Sequence, residues 1–470
     1  MNFNYRSKIL FASVFMIILI SILFNQVIFS GKSFGSPDTL SPKAVGIALN
    51  DASELSGEFP QWQPWIFSGM PSAEAFSHIS KLYFPEYLFK LFLLSGMMIQ
   101  MLHLLFAGIG CFLLLRHFKL HYLSSLLGSV GFMLTPYMTV MVVHGHGSQM
   151  MTAAYIPWIF WFTIRLWEKP SLLDTGILAL LMGFQLQRAH AQIVYYTWML
   201  IGAYSLLILI KGFKEKETKN KTIKTFRLFL IACFLAIGLS LLIYLPAMDY
   251  TPYSIRGGSL SGGADYNYAT GWSFHPKEML TFLIPSAFGF GGQLYWGMMP
   301  FTDYPNYMGI IILLLAVIGL FGKKELIHWF LIITSCLALF ISFGKHFSLV
   351  YDLFFNIFPY FNKFRVPHMI LILLQFNIAV LSAFGLESVA RIKDKYTPKW
   401  FWGLLGFGSV IFLLMALGGS LVESFIRESF PSPRVQDVRT AQIINNIRWS
   451  LWETDIWMML FFIASLLIVV

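Results

Sequence analysis

The chain has 470 residues, of which 57% are hydrophobic and only 12% charged, and its formal net charge is +10. Soluble globular domains carry about 25% charged residues, so this composition, with a mean hydropathy of +0.67, excludes a water-soluble body of this size. In lipid every backbone polar group must be satisfied internally, and long apolar runs without two-residue alternation favour helices over a barrel. The sequence therefore predicts an all-α polytopic membrane protein.

Twelve apolar segments follow one another along the chain, and each is a candidate transmembrane helix. Several are shorter than the roughly 20 residues that cross a bilayer, so tilted or shallow helices are expected. The first is interpreted as a retained span and not as a cleaved signal peptide. The segments lie near residues 9–29, 91–115, 123–143, 152–167, 172–187, 193–210, 228–248, 307–321, 327–343, 368–386, 401–421 and 455–470.

The charge distribution predicts the orientation of these segments. If the N-terminus is cytoplasmic and the spans alternate, the inner connections are rich in Lys and Arg, above all in Lys211–Arg227, whereas the longer outer loops are net acidic. This is the pattern of a multi-pass membrane protein with its N-terminus in the cytoplasm. The net positive charge is then accounted for by the inner connections, which face anionic membrane lipids, and no nucleic acid is predicted as a partner.

Four outer segments are too long to be simple turns, and we expect function to be located there. They lie at about residues 30–90, 249–306, 345–367 and 422–455. The segment 345–367 is amphipathic and aromatic, which predicts that it lies in the membrane interface or re-enters it. Residues 1–470 are interpreted as a single transmembrane domain, truncated before a C-terminal extension because the last apolar segment ends without a polar tail.

Asp38 is the first candidate for chemistry, since it follows the first span closely. A carboxylate just outside the membrane can accept a proton from a hydroxyl that attacks a lipid-linked donor. The alternative is that Asp38 caps a short helix beginning at Thr39.

Trp62 and Trp65 lie close together in the first outer loop, with Gln61 and Gln63 beside them. Aromatic and amide surfaces suit the apolar faces and hydroxyl edges of sugars, so the two tryptophans are candidates for sugar or acceptor binding. The alternative is an interfacial aromatic belt.

His144 and His146 end the third predicted span on the outside. Such a pair can ligate a metal, but no Asp, Glu or Cys follows nearby to complete a site. A functional interpretation that requires no metal is that the two histidines contact a phosphate or hydroxyl group of a ligand. The alternative is a plain polar turn.

Arg188 lies at a short outer connection, where Gln185 and Gln192 share its helical face and His190 is a neighbour. An arginine at the membrane boundary is costly unless it is paired, and phosphate is a natural partner for its guanidinium, so Arg188 and the neighbouring His190 are candidates for binding a phosphate. Snorkelling to the lipid headgroups is the alternative.

Two further outer arginines, Arg256 and Arg365, are candidates for holding a lipid phosphate because both lie close to spans. The loop residues Asp265, His275, Lys277 and Glu278 are further candidates, and solvated side chains are the favoured alternative for each. P-loop, GxGxxG, HExxH and paired CxxC motifs do not occur in the sequence, which argues against nucleotide-driven pumps and the common zinc classes.

Taken in order, four stretches resemble the bacterial YfhO-like membrane proteins of the GT-C superfamily of lipid-linked-sugar glycosyltransferases. The stretches are Ser36–Leu40, Phe59–Pro71, His144–Gln149 with Tyr155–Trp158, and Phe364–Pro367. The resemblance implies a location in the bacterial cytoplasmic (inner) membrane and a GT-C-like fold with a long first extracytoplasmic loop that carries an interfacial helix.

The resemblance also implies an activity. The protein would transfer a sugar from a polyprenyl-phosphate donor to an envelope glycan, polymer or lipid acceptor, with inversion, and Asp38 would be the general base. Many GT-C enzymes carry paired acids in the first loop, whereas this sequence offers Asp38 alone, and His144 and His146 stand where some relatives place metal-binding acids. No cofactor is therefore predicted with certainty, and a divalent metal is left open.

Two other functions are weighed against the transferase. A lipid or polysaccharide transporter would show internal repeats and broken helices with polar groups at the midplane, and a non-catalytic envelope-assembly scaffold would tolerate loss of Asp38. The polar candidates cluster at the outer face and no clear repeat is visible, which favours the enzyme.

Overall fold

The computed structural model describes residues 5–66, 68–72, 82–215, 218–258, 262–320, 322, 325–391, 399–430, 435 and 437–469. The chain divides into two compact units, and the single transmembrane domain expected from the sequence stays a prediction. The first unit comprises Met1–Lys119, Phe132–Leu134 and Met138–Asp265, and the second comprises Leu120–Gly131, Thr135–Tyr137 and Tyr266–Val470.

Helices build almost all of the first unit, together with one small hairpin of β1 (Trp62–Gln63) and β2 (Met70–Pro71). Its central helix α5 is buried along Leu104, Ala107 and Cys111, as expected for an apolar helix surrounded by others. In chain order up to Tyr250, the helices are α1 (Tyr5–Leu23), α2 (Asn25–Ser30), α3 (Pro37–Ser56), α4 (Phe84–Leu91), α5 (Gly96–His117), α6 (Tyr122–Met133, which belongs to the second unit up to Gly131), α7 (Pro136–Val143, which belongs to the first unit from Met138), α8 (Gly147–Ala153), α9 (Ile156–Glu168), α10 (Leu172–Gln187), α11 (Ala191–Lys214), α12 (Lys219–Gly238) and α13 (Leu241–Tyr250).

The second unit is also helical, and its most buried helix is α18 (Leu371–Ala390). Gly385 allows α18 to pack tightly, because a Cβ atom there would collide with the backbone carbonyl of Leu315 on α15. The remaining helices are α14 (Tyr266–Thr270), α15 (Ile310–Gly319), α16 (Leu326–Ser342), α17 (Ser348–Ile357), α19 (Lys399–Glu428) and α20 (Val438–Val469), joined in part by short 3-10 turns at Pro276–Phe282 and Gly344–Phe347.

Seven of the described helices are long and apolar enough to cross a membrane, and the number rises to nine if each of two bent helix pairs is one span. This confirms a multi-pass helical membrane protein. Each of the twelve predicted segments contains helix, but α10 and α15 have only 16 and 10 residues. A 10-residue helix is about 15 Å long, half of the hydrocarbon thickness, so twelve spans and the GT-C arrangement stay predictions.

Two of the candidate spans are sharply bent. The pair Lys219–Gly238 and Leu241–Tyr253 bends by 71°, and the pair Leu326–Ser342 and Gly344–Ile357 bends by 113°. The second bend begins the segment 345–367, which the sequence predicts to lie in or re-enter the interface, and α17 lies within that segment.

The fourth predicted outer loop, residues 422–455, is where the structure differs most from the sequence analysis. Helix α19 continues to Glu428 and α20 already begins at Val438, so the connection is a short one. These extensions are amphipathic and not apolar: Arg427 pairs with Glu423 one turn earlier (2.6 Å), and Asp437 accepts a hydrogen bond from Thr440 N (2.8 Å) as a helix cap. A hydropathy pattern identifies only the apolar part of such a helix and does not predict its polar end.

Candidate functional site

Asp38 lies in the first turn of α3, which begins at Pro37 after Ser36. Proline at the first helical position is preorganised for a helix, and a carboxylate there interacts favourably with the helix dipole. The helix is 20 residues long, so the short helix from Thr39 considered above is not what forms. The Asp38 side chain is 64% exposed, and it can therefore meet a substrate.

The carboxylate of Asp38 contacts the second predicted histidine of the outer turn. Oδ2 of Asp38 lies 3.2 Å from Nε2 of His146, whose side chain is 47% exposed. Gly145 has φ of +85°, and a Cβ atom there would lie 2.5 Å from the Asp38 carbonyl carbon and from Thr39 N. The turn before His146 thus packs directly against the start of α3, and the two side chains are brought together by their backbones.

A carboxylate paired with an imidazole is suited to proton transfer. When Nε2 carries the proton shared with Asp38, the ring is held in one tautomer with Nδ1 as its basic nitrogen. Either the carboxylate or the oriented imidazole can then accept a proton from a hydroxyl within hydrogen-bond reach. The sequence predicts Asp38 for this role and His146 for binding, and the structure places the two side chains in one pair.

Arg188 is buried, at the end of α10, and its guanidinium carbon lies 4.4 Å from the ring centroid of Tyr83. The Tyr83 hydroxyl lies 2.7 Å from Nε2 of His103 and 2.5 Å from the hydroxyl of Tyr155. All four side chains are almost completely buried. Arg188 is thus held against a buried polar cluster and does not simply extend to the headgroups.

The direction of the hydrogen bonds in this cluster follows from its acceptors. The carbonyl of Ile99 can only accept, so Nδ1 of His103 donates to it (2.7 Å), and in the neutral imidazole Nε2 accepts from Tyr83. Burial raises the pKa of Tyr83 to about 12, although nearby Arg188 opposes the shift. The phenol therefore stays protonated and donates, while its oxygen accepts from Tyr155.

Helix α8 links this cluster to the acid–histidine pair. His146 immediately precedes α8, and Ser148 in its first turn donates a hydrogen bond to the backbone carbonyl of Arg188. Helical geometry and one hydrogen bond place the Cα atoms of His146 and Arg188 within about 13 Å of each other. Asp38, His146 and Arg188 therefore belong to one region of the first unit, which we call the Asp38 site.

The other candidates at the short outer connection have structural partners. His190 caps α11, its Nδ1 accepting from Ile193 N (3.4 Å). Gln185 donates to Thr197 Oγ1 (2.8 Å) and Gln192 to the Tyr196 hydroxyl (2.8 Å). His144 is half-buried at the end of α7. These hydrogen bonds give the polar side chains of this connection partners within the protein. The predicted binding roles of His190 and His144 stay predictions.

Trp62 and Trp65 lie in and beside the small hairpin that follows α3, and both are exposed, at 53% and 56%. The hairpin is well anchored: Gln63 is fully buried and donates to the Pro71 carbonyl (3.3 Å), and Ser72 N donates to Gln61 O (3.1 Å). Two exposed indoles on a fixed hairpin suit a sugar face or a membrane interface equally, so both predicted interpretations stay open.

The two remaining arginines belong to different units. Arg256 is half-buried in the turn after α13, in the first unit. Arg365 belongs to the second unit, where it donates to the Tyr268 hydroxyl (3.1 Å) and lies over the rings of Tyr268 and Trp272, at 5.4 and 6.0 Å from their centroids.

Sequence reasoning missed Tyr83, His103 and Tyr155. A lone histidine within an apolar span, as His103 is, was the available signal, because a buried imidazole needs partners. Among the residues described, no group of three or more His, Cys, Asp or Glu side chains could hold a metal ion, and the question of a divalent metal stays open.

These observations define the class: a multi-pass helical membrane protein with an acid–histidine pair in an exposed position. Comparison with protein-family models finds no match, and neither does comparison with curated proteins.

Proposed function

We propose that this protein is a membrane glycosyltransferase that moves a sugar from a polyprenyl-phosphate donor to an envelope glycan, polymer or lipid acceptor on the outer face of the bacterial cytoplasmic membrane. The observation that carries the proposal is the contact between Asp38 and His146. An exposed carboxylate paired with an imidazole, on a helix that follows the first membrane span, is the arrangement expected of a base for a hydroxyl acceptor.

The reaction needs two events at the anomeric carbon and a proton transfer from the acceptor oxygen. The acceptor oxygen forms a bond to the anomeric carbon while the bond from that carbon to the donor phosphate oxygen breaks, with inversion. The proton of the acceptor hydroxyl passes to the Asp38–His146 pair, and the bonding electrons leave on the lipid phosphate. Cations near the leaving group stabilise its developing charge.

Arg188 and Arg256 are the cations assigned to the donor phosphate in the first unit. The contact of Arg188 with the buried Tyr83 ring fixes where its guanidinium lies, and a preorganised cation costs less to position during the reaction. Arg365 of the second unit is a third candidate, and Trp62 and Trp65 are the candidates for the sugar or acceptor.

The test is sugar transfer by the purified full-length chain, or by a deletion strain complemented with variants, with envelope glycans as the readout. Asp38→Asn should abolish transfer while expression and membrane insertion are retained. Asp51→Asn is the matched control, because Asp51 is exposed on the same helix α3 and should keep wild-type transfer. Wild-type transfer by Asp38→Asn discards the transferase assignment.

A lipid or polysaccharide transporter is the second candidate, and the two bent helix pairs favour it, since transporters are built with discontinuous helices. The two functions separate in proteoliposomes. A transporter moves a labelled lipid-linked glycan across the bilayer without changing its covalent structure, whereas a transferase changes the product in a manner that depends on Asp38.

A further inference from the structure

A basic cluster in the second unit is formed where two chain segments run against each other. Phe274 N donates to the Ser342 carbonyl (2.9 Å), and Lys345 N donates to Ser273 Oγ (3.1 Å). Gly344, with φ of +47°, packs directly on the Ser273 side chain. These contacts fix the segment Ser273–Lys277 beside the segment Ser342–His346.

The two segments bring four basic residues together. The rings of His275 and His346 meet edge to face, with centroids 4.7 Å apart, and one lysine lies close to each ring, Lys277 and Lys345, both exposed. Burial and the adjacent Lys277 lower the pKa of His275, as expected where positive charge accumulates.

One acidic residue follows each of these two segments in the chain, and each carboxylate accepts hydrogen bonds from groups outside the basic cluster. Glu278 is buried, and its carboxylate accepts from the Tyr295 hydroxyl (3.1 Å) and from Met298 N (2.9 Å). Asp352, on α17, accepts from the Tyr266 hydroxyl (2.6 Å). Both carboxylates are thus held by other partners, and the exposed groups of the cluster are cationic.

Helix α17, which begins directly after the cluster, has the surface of a lipid-contacting helix. Its inner face buries Tyr351, Phe354 and Phe355 against the protein, whereas Leu349, Leu353 and Ile357, spaced by one turn each, are exposed on the outside. The 113° bend between α16 and α17 turns this helix away from the direction of the span. An aliphatic face next to cations is typical of helices that lie in the headgroup region.

We propose that Lys277 and Lys345, beside the ring pair of His275 and His346, bind the phosphate of an anionic phospholipid whose acyl chain lies on Leu349, Leu353 and Ile357. Charge complementarity selects the phosphate, and the adjacent aliphatic face selects a lipid over a soluble anion. This site is separate from the Asp38 site and does not depend on the proposed transferase activity.

Lipid retention measured by native mass spectrometry tests the proposal. The full chain is released from nanodiscs that contain phosphatidylglycerol and phosphatidylcholine in equal amounts. The wild type should retain phosphatidylglycerol preferentially, and the double variant Lys277→Gln/Lys345→Gln should lose about 30-fold in affinity for it. Lys32→Gln/Lys43→Gln, which removes the same charge from exposed positions in the first unit, is the matched control and should behave as the wild type.

Three outcomes would overturn the proposal: equal retention of the two lipids by the wild type, undiminished phosphatidylglycerol retention by the Lys277/Lys345 variant, or an equal loss in the control. Inorganic phosphate is added in a further arm. Displacement of the lipid by millimolar phosphate would show that a soluble anion is the ligand, which also contradicts a lipid site.

Discussion

His146 Nε2 lies 3.2 Å from Oδ2 of Asp38, although more than a hundred residues separate the two in the chain. The pair exists because the turn at Gly145 packs on the backbone at Asp38 and Thr39. The proton acceptor of the proposed reaction is therefore a two-residue unit.

Removing the imidazole should impair transfer even though Asp38 remains. In His146→Gln the carboxylate keeps a hydrogen-bond donor but loses the basic ring, and general-base contributions are typically about 10²–10⁴-fold in rate. We expect a loss of at least about tenfold, measured as sugar transfer by the purified variant at matched expression. A His146→Gln enzyme with the wild-type rate would show that Asp38 acts without the histidine.

Gly145→Ala should disturb the Asp38 site through the backbone. A side chain is strained at φ of +85°, and its Cβ would lie 2.5 Å from backbone atoms of Asp38 and Thr39. Each such conflict typically costs about 1–3 kcal/mol, so the melting temperature in detergent and the transfer rate should both fall.

Gly202→Ala is the matched control for this substitution. Gly202 lies within α11 with open space where the methyl group would go, so alanine should be neutral or stabilising by up to about 1 kcal/mol. Equal melting temperatures for both variants would contradict the close approach of the Gly145 turn to α3.

The buried cluster beneath Arg188 predicts a graded series at Tyr83. Tyr83→Phe keeps the ring under the guanidinium but removes the donor to His103, which should cost about 1–3 kcal/mol. Tyr83→Leu also removes the aromatic face and should cost about 1–2 kcal/mol more. Thermal unfolding in detergent measures both, and a Tyr83→Phe variant as stable as the wild type would refute the hydrogen-bond chain.

Glu278 predicts a pH dependence of stability in the second unit. Burial raises the pKa of this carboxyl, against the opposing hydrogen bonds from Met298 and Tyr295. A raised pKa means that the folded state holds the proton more tightly, so the stability contributed by this group is fully present below about pH 4.5 and is lost as the pH rises through the shifted pKa.

Comparison with Glu278→Gln isolates that effect. The amide can still accept the two hydrogen bonds through Oε1, but it does not ionise. The melting temperature of the wild type should therefore fall relative to the variant as the pH increases from 4 to about 8, whereas parallel profiles would show that the carboxyl is not destabilised by its burial.

The sequence by itself determined that the chain is helical and that it belongs in a membrane, because both properties depend on local composition. An apolar run of about 20 residues needs lipid and must close its own hydrogen bonds, so each of the twelve predicted segments contains helix. Candidates such as Asp38, His146 and Arg188 could be selected singly, since a polar group at a membrane boundary is conspicuous without any knowledge of its neighbours.

Only the tertiary structure decided which of these residues meet. No local periodicity relates Asp38 to His146, or Tyr83 to His103 and Tyr155; their contacts arise when separate helices and turns pack together. The same applies to His275 and His346, and to the ends of α19 and α20, whose polar turns are stabilised by side-chain pairs that hydropathy does not register. Hydropathy averages over neighbours in the chain, whereas the chemistry of a site depends on distances of a few ångströms between residues far apart in it.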